Sequence, residues 1–138
     1  MGRITIGPTS WKIQDAALGG FVQGGYLICK SGGVGWIVAP ASTEVSRAWA
    51  SQSDAVTLAQ ASAACGDWFV PTFPQLQNPG YTCRTYWDSY SSASYWSSTT
   101  ATTPNNSFAC GVNFSNGSAF NTPKTTTACV RAFRCVTY

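Results

Sequence analysis

Large apolar residues occupy alternate positions at Phe108, Cys110, Val112 and Phe114, with Ala109, Gly111 and Asn113 between them. That period of two predicts a strand with one apolar row on a single face. Asn116-Gly117 accepts the positive φ angles of a tight turn, so Ala119 to Thr122 is expected to return as the partner strand of a hairpin. A second hairpin is predicted where Tyr26 to Lys30 and Gly35 to Ala39 flank Ser31-Gly32-Gly33. Its second strand, Trp36-Ile37-Val38-Ala39, is apolar throughout, which suits a strand covered on both faces, and Pro40 ends it. The run from Ala128 to Val136 also has apolar residues on both faces and reads as one central strand.

The pattern turns helical from Ser53 to Cys65, where a Ser or Asp cap precedes an Ala-rich run with Leu58, Ala61 and Cys65 spaced i, i+3, i+7. Gly66 stops it. Thr72-Phe73-Pro74-Gln75 has the form of a capping box with proline in the first turn, and Asn78-Pro79-Gly80 breaks the short helix that it starts. Residues 81–94, 100–107 and 121–127 are rich in hydroxyl and amide side chains and are predicted as long ordered loops. Residues 1–24 lack periodicity and contain Gly19-Gly20 and Gly24-Gly25 as breakers. They read as an extended arm that docks on a partner, ahead of one compact domain over residues 25–138.

Composition narrows the classes of function. Charged residues are only 9% of the 138, while six Trp, six Tyr and seven Phe supply apolar area in large units, so solubility rests on hydroxyls and amides. The net charge of +3 comes without any basic cluster that could follow a phosphate backbone, which argues against nucleic acid. No apolar run approaches the ~20 residues of a membrane span, so no membrane insertion is expected. Pro8 and Asp15 interrupt the N-terminal stretch before it reaches signal-peptide length.

The chain has no histidine and no close carboxylate pair, which removes the usual acid-base equipment; a non-enzymatic protein without a cofactor is expected. Asp15, Glu44, Asp54, Asp67 and Asp88 are dispersed, whereas a hard cation takes six to eight oxygen ligands, so no metal site is expected. Cys110, inside its strand, reads as a structural thiol. Six cysteines (Cys29, Cys65, Cys83, Cys110, Cys129 and Cys135) lack any CxxC pair. They fit disulfides made outside a reducing compartment, or free thiols packed as small hydrophobes. On a single strand Cys129 and Cys135 would lie about 20 Å apart, beyond the ~4 to 7 Å that a disulfide allows between Cα atoms, and would need different partners. Tyr86, Trp87 and Tyr90, with Asn105 and Asn106 in the next loop, combine rigid apolar contact with adaptable hydrogen bonding, the chemistry of a recognition face. Aromatic packing beneath a long loop accounts for the same tyrosines and tryptophan.

Taken in order, several motifs resemble one family: Gly24-Gly25-Tyr26, the helix ending at Cys65, Gly66-Asp67-Trp68-Phe69-Val70-Pro71-Thr72, Gln75-Leu76, Tyr95-Trp96-Ser97-Ser98-Thr99, Phe108 to Phe114, Gly117, Lys124 and Val130-Arg131-Ala132-Phe133-Arg134. It is the domain found at the C-terminus of bacterial collagen-like adhesins and in many phage proteins, and the resemblance covers about residues 24–138. It implies an α+β, C-type-lectin-like fold, distantly similar to formylglycine-generating enzymes and to the variable receptor-binding proteins of phages. Such a fold has mostly antiparallel hairpins, one long and one short helix, paired N- and C-terminal strands and long ordered loops that form a binding face. The chain departs from the family at Phe69-Val70, where a Leu-Pro approach is usual, at Pro79, and in its richer cysteine set.

Asp67, Trp68, Trp96, Arg131 and Arg134 are assigned structural roles, with Asp67 pairing to Arg131 or Arg134. The resemblance implies disulfides from Cys65 to Cys135 and from Cys110 to Cys129, leaving Cys29 and Cys83 as a third candidate pair. The expected function is a non-enzymatic phage virion surface protein that decorates the particle or contacts a host surface glycan through its loops. Residues 1–24 would dock on other virion proteins, and a homo-oligomer is expected. The alternatives are a secreted bacterial adhesin module and a degenerate member of the formylglycine-generating-enzyme-like branch.

Overall fold

The computed structural model describes residues 13–63, 67–102 and 105–138. Its strands are β1 (Phe21–Val22), β2 (Gly25–Ser31), β3 (Val34–Val38), β4 (Val45–Ala48), β5 (Ser94–Ala101), β6 (Phe108–Asn113), β7 (Ala119–Pro123), β8 (Thr127–Val130) and β9 (Phe133–Thr137). They form two sheets, one in the order β1-β2-β3-β9 and the other in the order β4-β8-β5-β6-β7. The pairings are antiparallel except where β8 meets β5 at Tyr95 and Cys129. Helix α1 (Ser53–Ala63) and the single turn α2 (Phe73–Gln75) complete an α+β fold.

Turn chemistry sets the first hairpin: Gly32 and Gly33 have φ of 60° and 78° and join β2 to β3, while Ser31, expected in the turn, ends β2 and pairs with Val34. The second hairpin, β6 with β7, also forms, but its loop is longer than the tight turn expected. The Asn113 amide donates to the Ser118 carbonyl at 2.8 Å, and in the turn itself Gly117 has positive φ whereas Asn116 does not. The Asn113 and Asn116 side chains accept from the backbone N–H groups of Ser115 and Ser118, an Asx arrangement that supports the wider loop. The capping box at Thr72 and Gln75 is present. Past it the chain continues through a wide helical turn over Leu76–Tyr81, which contains a cis bond between Asn78 and Pro79.

Strand pleating sends neighbouring residues to different cores. Leu27 packs with Ile13, Val22, Ile37, Ala59 and Trp68, while Ile28 packs with Val38, Leu76, Trp87, Tyr95, Val112, Phe114 and Phe133. This second cluster joins residues of both sheets. Trp96, next to Tyr95, belongs to a third cluster with Val45, Ala55, Ala109, Ala128 and Val130.

Four expectations are corrected. Residues 13–24 are part of the domain: Ile13 is 1% exposed, β1 pairs with β2, and the Lys30 ammonium donates to the Ala16 carbonyl at 2.8 Å. The remainder of the expected arm, residues 1–12, lies outside the described residues. On α1 the buried face is Ala55 and Ala59, with Leu58 43% exposed, because small side chains let the helix lie close to its neighbours; Cys65 and Gly66 lie outside the described residues. The apolar row on β6 is interrupted, since Ala109, Gly111 and Val112 are buried and Cys110 is only half-buried. Finally, the run from Ala128 to Val136 is two strands in two sheets, β8 and β9, broken at Arg131-Ala132. The C-terminal strand β9 pairs with β3, whereas β1 lies at the opposite edge of that sheet.

Candidate functional site

The break between β8 and β9 turns Arg131 inward, where it is 2% exposed. A buried guanidinium requires acceptors for its five N–H donors, and five hydrogen bonds are made. Nε and Nη2 donate to Glu44 at 3.0 and 2.8 Å, Nη1 to the Ala39 carbonyl at 2.9 Å and to Asp88 at 3.2 Å, and Nη2 to the Ser89 carbonyl at 2.7 Å. The Tyr95 hydroxyl donates to the same Glu44 carboxylate and accepts from the Ser91 amide at 2.9 Å, while the other Asp88 oxygen accepts from the Ala41 amide at 2.8 Å. Burial, then the bond to Glu44, pushes the Tyr95 phenol far above its ordinary range. Burial, followed by the Glu44 charge, also raises the Cys129 thiol. With every guanidinium donor committed, Arg131 holds the loop at residues 88–91 against β4, β5 and β8 and has no donor left for a ligand.

The other structural assignments agree with this economy of charge. Asp67 accepts from Arg134 Nε at 2.7 Å, which settles its partner, and the Arg134 guanidinium lies over the Trp68 ring at 6.0 Å. Trp96 is 1% exposed, and its indole N–H donates to the Arg47 carbonyl at 3.0 Å. Arg47 in turn pairs with Asp54 at 2.9 Å. Among the described residues no group of three or more His, Cys, Asp or Glu side chains is placed to hold a metal ion, and no helix is long and apolar enough to cross a membrane.

The residues expected at a recognition face are dispersed. Trp87 is 5% exposed and sits in the core that joins the two sheets, against Tyr95, Phe114 and Phe133, so it is not a surface contact. Tyr90 is 40% exposed and covers Trp87 and Phe114 edge-on, and Tyr86 is comparably exposed. Asn105 and Asn106 are exposed at the far end of β6, where the Asn105 side chain accepts from the Ser107 amide at 2.8 Å. The Phe114 amide donates to the Ala93 carbonyl, so the tyrosine loop meets the chain at one end of β6 and the asparagine loop at the other. Six residues of strand separate them by about 20 Å. Residues 103 and 104 of the second loop lie outside the described residues.

Sequence reasoning missed the concave surface. β7 is the outer strand of its sheet, and across from Phe120 stands Gly111, whose missing side chain leaves room for the Phe120 ring. That ring tilts onto Trp96 with centroids 5.7 Å apart. An open cleft of about 340 Å³ is lined by Phe73, Cys110, Ala119, Phe120 and Asn121. A second cleft of about 250 Å³ is lined by Ser94, Phe120, Asn121, Thr122, Thr126, Thr127 and Ala128. Phe120 and Asn121 belong to both, and no charged side chain lines either. The signal available in the sequence was Phe120 itself, the one large apolar residue between Ala119 and Pro123 opposite a strand glycine.

The described cysteines are free thiols. Cys110 and Cys129 do not pair: β5 lies between their strands, which places them about 10 Å apart at ~4.8 Å per strand, beyond disulfide reach. The Cys110 thiol donates instead to the Asn121 side-chain carbonyl at 3.2 Å. Cys135 is exposed, and its expected partner Cys65 lies outside the described residues. Cys129 and Cys135 occupy different sheets rather than one strand. No protein-family model matches the chain, and no curated protein matches it.

Proposed function

We propose that this chain is a non-enzymatic, C-type-lectin-like binding domain carried on the surface of a phage virion, and that it takes a neutral glycan into the clefts beside Phe120. The observation that carries the proposal is the lining: the rings of Phe73 and Phe120, one amide and a row of hydroxyls, with no ionised group. A sugar offers C–H faces to such a ring and hydroxyls to the amide and threonines, and an uncharged saccharide leaves no ion unpaired when it binds. A non-enzymatic role is supported by where the carboxylates are spent. Glu44 and Asp88 serve Arg131, Asp67 serves Arg134 and Asp54 serves Arg47, which leaves Asp15, on the surface, as the remaining acid. The virion setting and the lectin-like fold rest on the order of motifs shared with the adhesin and phage domain, and on a surface whose solubility comes from hydroxyls and amides.

A glycan array probed with the purified chain, followed by titration of the best neutral oligosaccharide, tests this reading. The substitutions Asn121→Ala and Thr126→Ala are expected to weaken binding at least about tenfold, a loss of about 1.4 kcal/mol, while leaving the unfolding temperature within about 3 °C. An array without signal, from a chain shown to be folded, would remove the glycan and leave particle decoration. Immunogold labelling of purified particles tests the location.

A further inference from the structure

We propose that Cys29 and Cys83 are a disulfide-forming pair, and that oxidation ties strand β2 to the turn that carries Tyr86 and Trp87. The two side chains lie in one region of the fold: both pack against the core that joins the sheets, and strand β2, which carries Cys29, lies against the turn that Cys83 opens. Both backbones are held in place before any bond forms. Cys29 stands directly after the irregularity at which the register of β2 slips between Leu27 and Cys29, a bulge that re-aims a side chain. The Cys83 amide donates to the Pro79 carbonyl at 2.9 Å, and its carbonyl accepts from the Tyr86 amide at 3.0 Å.

Topology separates Cys29 from a competing cysteine in its own sheet. Trp36 of β3 lies in register with both Cys29 and Cys135, so those two are two strands, about 10 Å, apart. Thiol–disulfide exchange with a small-molecule disulfide accomplishes the step. One cysteine loses its proton and its thiolate attacks a sulfur of the oxidant, expelling one small thiolate. The second thiolate attacks the mixed disulfide and expels the other. Two S–H bonds are lost, one S–S bond forms between Cys29 and Cys83, and the oxidant takes up the two electrons. Burial, and then the neighbouring Cys83, raise the Cys29 thiol, so the reaction is slow at neutral pH and quickens as pH rises.

The test uses the full chain, reduced and then equilibrated with oxidised glutathione, and reads non-reducing peptide maps after alkylation together with the unfolding temperature. The expected results are a linked peptide joining Cys29 to Cys83 and a rise in unfolding temperature of about 10 °C, from closing a long loop of the unfolded chain. Cys83→Ser abolishes both, and Cys110→Ser preserves both. Complete alkylation of Cys29 and Cys83 in the oxidised, folded wild-type chain overturns the proposal, as does a map in which either is linked elsewhere. The mapping needs only the wild-type chain, so an unfolded variant does not blur the result.

Discussion

Replacing Arg131 with methionine keeps most of the side-chain volume and removes five hydrogen bonds at once. Glu44 and Asp88 lose their counter-charge, but their side chains are 20% and 23% exposed, so water relieves part of the penalty. The cost therefore falls toward the low end of the ~3 to 5 kcal/mol typical for removing one partner of a buried pair. The carbonyls of Ala39 and Ser89 lose donors as well, at about 1 kcal/mol each where they stay dry. The sum is about 5 kcal/mol, a large share of the ~5 to 15 kcal/mol that stabilises an ordinary domain. Urea unfolding at pH 7 followed by tryptophan fluorescence measures it, and limited proteolysis should show new cleavage between residues 88 and 93. Asp67→Asn is the internal contrast: its bridge to Arg134 is 56% exposed on the acid side, and its loss should cost under about 1 kcal/mol. An Arg131→Met loss below about 1 kcal/mol with an unchanged denaturant slope would refute the view that this residue fastens the loop.

Gly111→Ala should destabilise by about 2 to 3 kcal/mol in thermal unfolding, because the added methyl would overlap the Tyr95 carbonyl oxygen and the Phe120 ring; a change within 0.5 kcal/mol would show that β6 and β7 have slack. Tyr95 supplies a pH test. Its phenol is raised in the fold, mainly by burial and then by Glu44, so its contribution is fully present below the unfolded value near pH 10 and declines as pH rises beyond it, by about 1.4 kcal/mol per unit. A stability series from pH 9 to 11 should fall less for Tyr95→Phe than for the wild type, by about 1.4 kcal/mol over the whole range, and equal falls would contradict the assignment.

The local signals in the sequence transferred well to the fold. Gly32-Gly33, the capping box at Thr72 and the pairing of the strands on either side of Gly117 each depend on a few adjacent residues, and each appears in the structure. What failed depended on neighbours distant in the chain. Hydrophobic periodicity treats Arg131 as one polar interruption in an apolar run, and nothing nearby announces that Glu44 and Asp88 will meet it. Composition could not separate Trp87, which enters the core, from Tyr86 and Tyr90, which stay outside in the same loop. Two loops of similar character were joined into one face because sequence does not display the length of β6 lying between them. The clefts beside Phe120 were hidden for a related reason: they exist only where β7 lies along β6 and near β8.

The placement of β8 and β9 has a consequence during synthesis. β8 sits between β4 and β5, and β9 completes the sheet begun by β1, β2 and β3, so residues 127–137 are required by both sheets. While that stretch is still inside the ribosomal tunnel, β3 and β4 have unpaired edges, and Glu44 and Asp88 wait for a counter-charge encoded some forty residues beyond the later of them. The hairpins can form as they emerge, but the domain closes in one late event, when its last residues become free. A nascent chain stalled before residue 127 should therefore be bound by chaperones and open to protease, although most of this domain has already been made.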